Sequence, residues 1–257
     1  NTPILKAKKG KQELNFYNDG EYNSWKQAND DGKGWAVKYY KGLGTSTGKE
    51  FKEYFEEKKY VGFNHSGNVS NDSIDMVFNK KRADDRKEWL KEYDRKSFLN
   101  TSQSLVSYKE FIDKEFKHFS KYDCDRSIPN IMDGMKESHR KVLFVCFKRG
   151  LKYSGKTLKV AQLAGSVAEK SGYHHGEQNL YQTITKMAHE FPGSNNIPLL
   201  YRDGQFGSRN NAGNDAASPR YIFTKMELLT PLLFREEDDI LLDYVVDDGD
   251  VLEPKFY

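Results

Sequence analysis

Apolar and polar positions follow two periods along the chain. Trp35-Ala-Val-Lys-Tyr-Tyr40 is a short β-prone run stopped by Gly42 and Gly44, and Lys49 to Tyr60 then takes a helical pattern. Strand, glycine turn and helix form one α/β unit near the end of a sheet, too short to be a complete α/β domain. Asn and Ser crowd residues 64 to 73 around Gly67, which predicts a loop and a domain edge near 65 to 75. Lys80 to Lys96 sets eight basic and five acidic residues around Trp89 and Leu90, the habit of an exposed, charge-laced helix.

From Asp125 the pattern changes. Val142, Leu143, Cys146 and Phe147 share a face of a helix predicted over Arg140 to Lys148, with Gly150 as its stop. Val160, Leu163, Ala164 and Val167 predict a second helix from about Leu158 to Lys170, ended by Gly172. Leu180, Ile184, Met187, Ala188 and Phe191 mark a third, from about Glu177 to Phe191, before Pro192 and Gly193. Asp203-Gly204 then lies between two apolar-rich runs, a hairpin signal. Three short helices and a hairpin spell a winged helix, a helix-turn-helix variant that reads DNA in many proteins and binds protein in others.

Composition narrows the classes. The 257 residues suit one or two domains, and 37% hydrophobic with 14% aromatic residues is too much packing surface for a disordered chain. No apolar run approaches the roughly 18 residues of a membrane helix, and Asn1 to Gly10 lacks a signal-peptide core, so no membrane role is expected. Two cysteines, Cys124 and Cys146, make neither a disulfide framework nor a four-thiolate zinc site. Four Asn-x-Ser sequons, at Asn64, Asn68, Asn71 and Asn100, read as polar loop chemistry in a reducing compartment.

The net charge of +3 hides an uneven distribution. Phe234 to Tyr257 carries nine acidic against two basic residues, whereas Arg126 to Tyr221 carries 14 basic against seven acidic, with four of the six histidines. That segment suits a polyanion, although a solvated surface accounts for such a charge equally well.

Individual motifs stay ambiguous when read one at a time. Gly42 to Lys49 is not an ATP phosphate loop, because Gly44 to Gly48 encloses only three residues and Glu50 replaces the required Ser or Thr. Lys41 beside Gly42 and Gly44 suits a phosphate oxygen; an ordinary glycine turn suits the same residues. His174-His175-Gly176-Glu177 lacks the helical His-x-x-x-His spacing of a metal site, and its histidines fit proton transfer, phosphate contact or plain surface exposure. Arg220-Tyr221 means little alone among 16 tyrosines. Together, a basic winged helix, two histidines and an Arg-Tyr pair could build a phosphodiester-cleaving site with a tyrosine nucleophile, and the residues alone leave that reading open beside the structural ones.

The wording of the motifs goes further. Tyr40-Lys-Gly-Leu-Gly-Thr-Ser46, Arg126-Ser-Ile-Pro-Asn-Ile-Met-Asp-Gly134, Arg140-Lys-Val-Leu143, Lys159-Val-Ala-Gln-Leu-Ala164, Tyr173-His-His-Gly-Glu177, Gly193-Ser-Asn-Asn196 and Asp215-Ala-Ala-Ser-Pro-Arg-Tyr221 lie in one order over most of the chain. This closely resembles eukaryotic-type DNA topoisomerase II, a type IIA enzyme. The resemblance implies an α+β chain: the C-terminal remnant of an α/β TOPRIM domain (1–70), charged linker helices (71–120), and a winged-helix domain (121–257) ending where the tower domain begins. Tyr221 would attack a DNA phosphate and become a 5′-phosphotyrosine, Arg220 and Arg126 would stabilise the charged phosphate, and His174 and His175 would contact it or move a proton. Lys41, Arg140, Lys141, Lys159, Gln162 and Arg209 would contact double-stranded DNA, mostly through phosphates.

The resemblance also implies a homodimer, nuclear residence or a site of viral DNA replication, and two cofactors, Mg²⁺ and ATP, whose binding residues lie outside this chain, so that the chain alone would not relax DNA. Two features depart from relatives. Lys136-Glu-Ser-His139 stands where a proline and a glutamine are usual, leaving the start of the following helix open, and Lys152-Tyr-Ser-Gly-Lys156 reads as an insertion. Two other readings remain at this level: a winged-helix module that binds DNA without cutting it, and a metal-dependent hydrolase built on His174, His175 and Glu177.

Overall fold

Alternation along the first strands decides where the first core forms. In β1 (Leu5–Lys9), Leu5 and Ala7 are buried; with Phe16 of β2 (Gln12–Phe16) they make a small core closed by Tyr22, Trp25 and Trp35. The structure, a computed structural model, describes residues 2 to 40, 43 to 247 and 250 to 257, the side chains of residues 43 and 247 aside. Helix α1 (Asp19–Ala28) starts at Asn18, whose side chain accepts from the Glu21 N–H. β3 (Ala36–Tyr39) pairs antiparallel with β1, giving the order β2-β1-β3. Helix α2 (Gly48–Glu56) follows with a capping box between Thr47 and Glu50.

β4 (Gly62–Asn64) is next, and helix α3 (Asn68–Phe78) then occupies most of the stretch expected to be loop. The Asn and Ser residues there are used locally: Ser70 Oγ accepts from the Ser66 N–H at 2.8 Å, and Ser73 Oγ donates to Val69 O at 2.8 Å. Polar composition alone mimics a loop here, because short side chains satisfied by neighbouring backbone sit comfortably in a helix. Helix α4 (Ala83–Lys91) is the expected charged helix, shorter than its charge pattern, with Trp89 Nε1 donating to Asp113. β5 (Leu105–Ser107) pairs parallel with β4, and α5 (Tyr108–Phe111) continues through a wide turn over Ile112–Phe116 into α6 (Lys117–Ser127). The chain divides into two compact units at Asp123/Cys124, and residues 65 to 75 lie inside the first.

The second unit is built on α7 (Glu137–Lys148), followed by β6 (Leu158–Lys159), α8 (Val160–Lys170) and α9 (Glu177–Ala188). The three helices pack on one another through Val142, Leu143, Leu163, Val167, Leu180 and Ile184, all fully buried. Each such side chain contributes about 1.5–3 kcal/mol by burial.

The hairpin expected at Asp203-Gly204 does not form. The run before that turn pairs instead with β7 (Phe223–Thr224) and its flanks: Asp203 and Phe223 exchange both backbone hydrogen bonds, and the Tyr201 N–H donates to Lys225 O. β7 pairs with β6 as well, so the sheet joins three distant segments. Ile222, 1% exposed, packs beside Gly204 and makes that long-range pairing the one that completes the core. The short α10 (Thr230–Leu233) precedes β8 (Tyr244–Asp247) and β9 (Asp250–Pro254), an antiparallel pair whose second strand lies against α7.

Candidate functional site

Two backbone bonds place Tyr221. At the start of α8 the Val160 N–H donates to Ile222 O and the Ala161 N–H to Pro219 O, each at 3.0 Å, and the Tyr221 N–H closes a turn onto Ser218 O at 2.9 Å. Ile222 plugs into the core while Tyr221 stays 70% exposed. Lys159, paired with Phe223, and Gln162, on the first turn of α8, are both accessible, as is Arg220. Four predicted site residues are thereby gathered at one helix N-terminus, where the helix dipole favours an anion.

Arg209 is carried on a neighbouring loop held from within. Asp215 accepts from the Ser208 N–H and Oγ, both at 2.8 Å, and from Asn211 Nδ2 at 3.1 Å, and these bonds hold its carboxyl down at about 2. Gly207 is required there: at φ +92°, an added Cβ would lie 2.5 Å from Gly213 Cα. Arg209 itself is exposed to solvent.

The histidines lie on the turn between α8 and α9. Their rings are 4.4 Å apart, Tyr173 meets His175 edge-on, and His174 Nδ1 is 3.1 Å from Gly172 O. Burial is the largest influence pushing the His175 pKa below its ordinary value, followed by the positive charges of Arg126, His174 and Lys141, with Glu137 opposing. Arg126, half-buried in the last turn of α6, therefore stands by the histidine turn, as its influence on Tyr173 also shows. Glu177, just after the pair, accepts from Tyr181 Oη at 3.0 Å, and Tyr181 in turn feels the charge of Arg220. That chain of neighbours connects the histidine turn to the tyrosine segment.

Two expected DNA contacts face inward instead. Arg140 is 7% exposed and donates to Asp133 and to Met135 O; Lys141 is 5% exposed and donates to Ser171 O at 2.7 Å and Glu253 at 2.8 Å. Their charges are taken up inside the domain, which corrects the assignment of both to the DNA surface. Lys41 lies outside the described residues. On its flanks, Glu50 accepts from Lys38, Tyr40 Oη and the Thr47 N–H, a set of bonds that holds its carboxyl at about 2 against the cost of burial.

The DNA gyrase/topoisomerase IV family model matches residues 126–257. The chain belongs to the type II DNA topoisomerases. Residues 1–124 match the C-terminal associated domain of TOPRIM, an unbroken match that includes the stretch read as linker helices. The chain is 50% identical to DNA topoisomerase 2 of Plasmodium falciparum and to human DNA topoisomerase 2-beta over all of its own length, which spans 18% and 16% of those relatives. A solved structure of the Plasmodium falciparum topoisomerase II DNA-binding, cleavage and re-ligation domain superposes with a TM-score of 0.77 at 50% identity, over 100% of this chain and 35% of that one.

In this topoisomerase chain the donors do not fit a metal. Among the described residues no three His, Cys, Asp or Glu side chains converge, and Glu177 is engaged by Tyr181 rather than turned to the histidines. Sequence reasoning missed Asp133, Ser171 and Glu253, the acceptors that bury Arg140 and Lys141. The signal was present in the run Val142-Leu-Phe-Val-Cys-Phe147: a helix apolar on all sides is enclosed, and charges at its start are enclosed with it.

Proposed function

We propose that this chain is the DNA cleavage and re-ligation core of an ATP-dependent type IIA topoisomerase, with Tyr221 as its nucleophile. The observation that carries the reading is the bonding of the α8 N-terminus to residues 219 and 222, which presents an exposed tyrosine beside Arg220, Lys159 and Gln162. The three helices with the sheet of β6, β7 and residue 203 act as a winged helix, α8 being the element laid on DNA.

Tyr221 Oη attacks a backbone phosphorus. The P–O3′ bond breaks, the 3′-oxygen leaves with a proton, and a 5′-phosphotyrosine ester conserves the bond for reversal by the same hydroxyl. Arg220 and Arg126 stabilise the charge of the pentacoordinate phosphate, the kind of contribution that usually dominates catalysis. His174 and His175 contact the phosphate or carry the proton, and the environment that disfavours a charged His175 suits the second role. Lys159, Gln162 and Arg209 hold the flanking backbone, and Lys41 is proposed separately as a phosphate contact of the first unit. Two such chains in a homodimer make the staggered cuts through which a second duplex passes, and the reading places the enzyme in the nucleus.

A Tyr221→Phe enzyme tests this against a winged-helix module that binds without cutting. The account expects DNA affinity to be retained and cleavage lost. Cleavage by the variant at the wild-type rate contradicts it, and a wild-type protein that binds but never cuts supports the module.

A further inference from the structure

The most deeply enclosed cation near the histidine turn is Lys141. Its ammonium lies 2.7 Å from Ser171 O, 2.8 Å from Glu253 Oε2 and 3.7 Å from Glu137 Oε1. Two of the three donors of an ammonium are thus taken by the end of α8 and by β9, and Glu137 of α7 adds a longer ion pair. Ser171 is fully buried and caps α8, its hydroxyl donating to Val167 O at 2.6 Å. Gly172 follows at φ +60°, then Tyr173, His174 and His175. The carbonyl held by Lys141 lies three residues before His174, and Tyr173, packed against the core, continues the anchored stretch up to the pair. The same turn meets β9 again at Gly172, where an added Cβ would lie 3.7 Å from Leu252 Cδ1.

A buried ion pair is weak evidence for stability, since an apolar pair of similar volume often does as well. What an apolar pair cannot do is donate to the Ser171 carbonyl. We propose that Lys141 is a positioning residue for the His174-His175 pair, and that Glu253 makes that position depend on the β8–β9 strands. The inference rests on the reading of those histidines as groups at the scissile phosphate. Glu253, with 4% of its side chain exposed, pairs with the ammonium and holds it beside Ser171 O. Among the described residues, Arg126, His174 and Lys141 act with burial to disfavour the charged form of His175, and Glu137 opposes them.

The test uses the full-length enzyme with DNA and Mg²⁺ and compares wild type with Lys141→Met/Glu253→Met, Lys141→Arg, Glu253→Gln and Tyr221→Phe. The double variant removes both charges together and leaves neither buried alone. Three quantities are read: the rate of 5′-adduct formation between about pH 6 and 9, the Kd for DNA, and the melting temperature. The double variant is expected to bind DNA as wild type does and to form the adduct about tenfold more slowly or worse, as displaced catalytic groups do. Its rate profile should move to higher pH, because a positive charge facing His175 has gone. Lys141→Arg, which keeps the donors, should recover most of the rate. Glu253→Gln, which keeps packing and an acceptor but leaves the Lys141 charge without its carboxylate, covers the case of a poorly folding double variant: it should lower the melting temperature and still slow the adduct at a temperature where the variant is fully folded. A wild-type rate and pH profile in the double variant or in Glu253→Gln overturns the proposal. An adduct persisting in Tyr221→Phe places the failure in the underlying reading instead.

Discussion

Arg140 and Lys141 show how the same residue type serves opposite ends at neighbouring sites. Both look like DNA contacts in sequence, as Lys159 and Arg209 do, yet the first two are enclosed and the last two exposed. The difference lies in what the fold offers: Asp133, with none of its side chain exposed, meets Arg140 from the turn just before the helix, and Glu253 reaches Lys141 from a distant strand. Removing one partner leaves a buried charge, so Asp133→Ala should cost about 3–5 kcal/mol in chemical denaturation. Lys159→Ala should leave stability within about 0.5 kcal/mol while weakening DNA binding. Equal loss of stability in both variants contradicts this division. Residue chemistry was legible in the sequence, and the all-apolar run after Lys141 signalled enclosure; the partner of Lys141 was not legible, because Glu253 lies 112 positions away.

At the scale of elements, α7 carries its own pH dependence. His139 sits in its first turn with Nδ1 accepting from the Lys136 N–H at 3.4 Å. Burial, aided by the charges of Lys136 and Arg140 and opposed by Asp133, pushes its pKa down to about 4. An unfolded histidine takes its proton near 6.5, so stability is complete above that value and declines as pH falls from there to about 4. One such group changes stability by about 1.4 kcal/mol per pH unit within that window. Denaturation at pH 7, 5.5 and 4.5 should show the decline, and His139→Gln should shrink it without abolishing it, since His175 and His189 are displaced the same way. A decline unchanged by His139→Gln removes His139 from the account. The three helices of this unit were legible because their apolar period is strong and Gly or Pro punctuates it. The hairpin and the 64–73 loop were not, because local composition is silent on pairings made across 20 residues in one case and on short side-chain caps in the other.

For the molecule as a whole, charge is segregated along the chain, with a net +7 between Arg126 and Tyr221 and −7 from Phe234 onward. Binding through phosphates should therefore weaken about tenfold or more between roughly 50 and 200 mM salt. Affinity independent of salt over that range contradicts a basic DNA face. No helix among the described residues is long and apolar enough to cross a membrane. The central claim is that one tyrosine of the 16 forms the covalent bond to DNA. The most direct measurement traps the complex of the full-length enzyme with DNA and Mg²⁺ by rapid denaturation, digests both polymers and maps the nucleotide-bearing peptide by mass spectrometry. The account predicts a 5′-phosphate on Tyr221, within the peptide that contains Arg220. A nucleotide on another tyrosine, or a link through a 3′-phosphate, contradicts it.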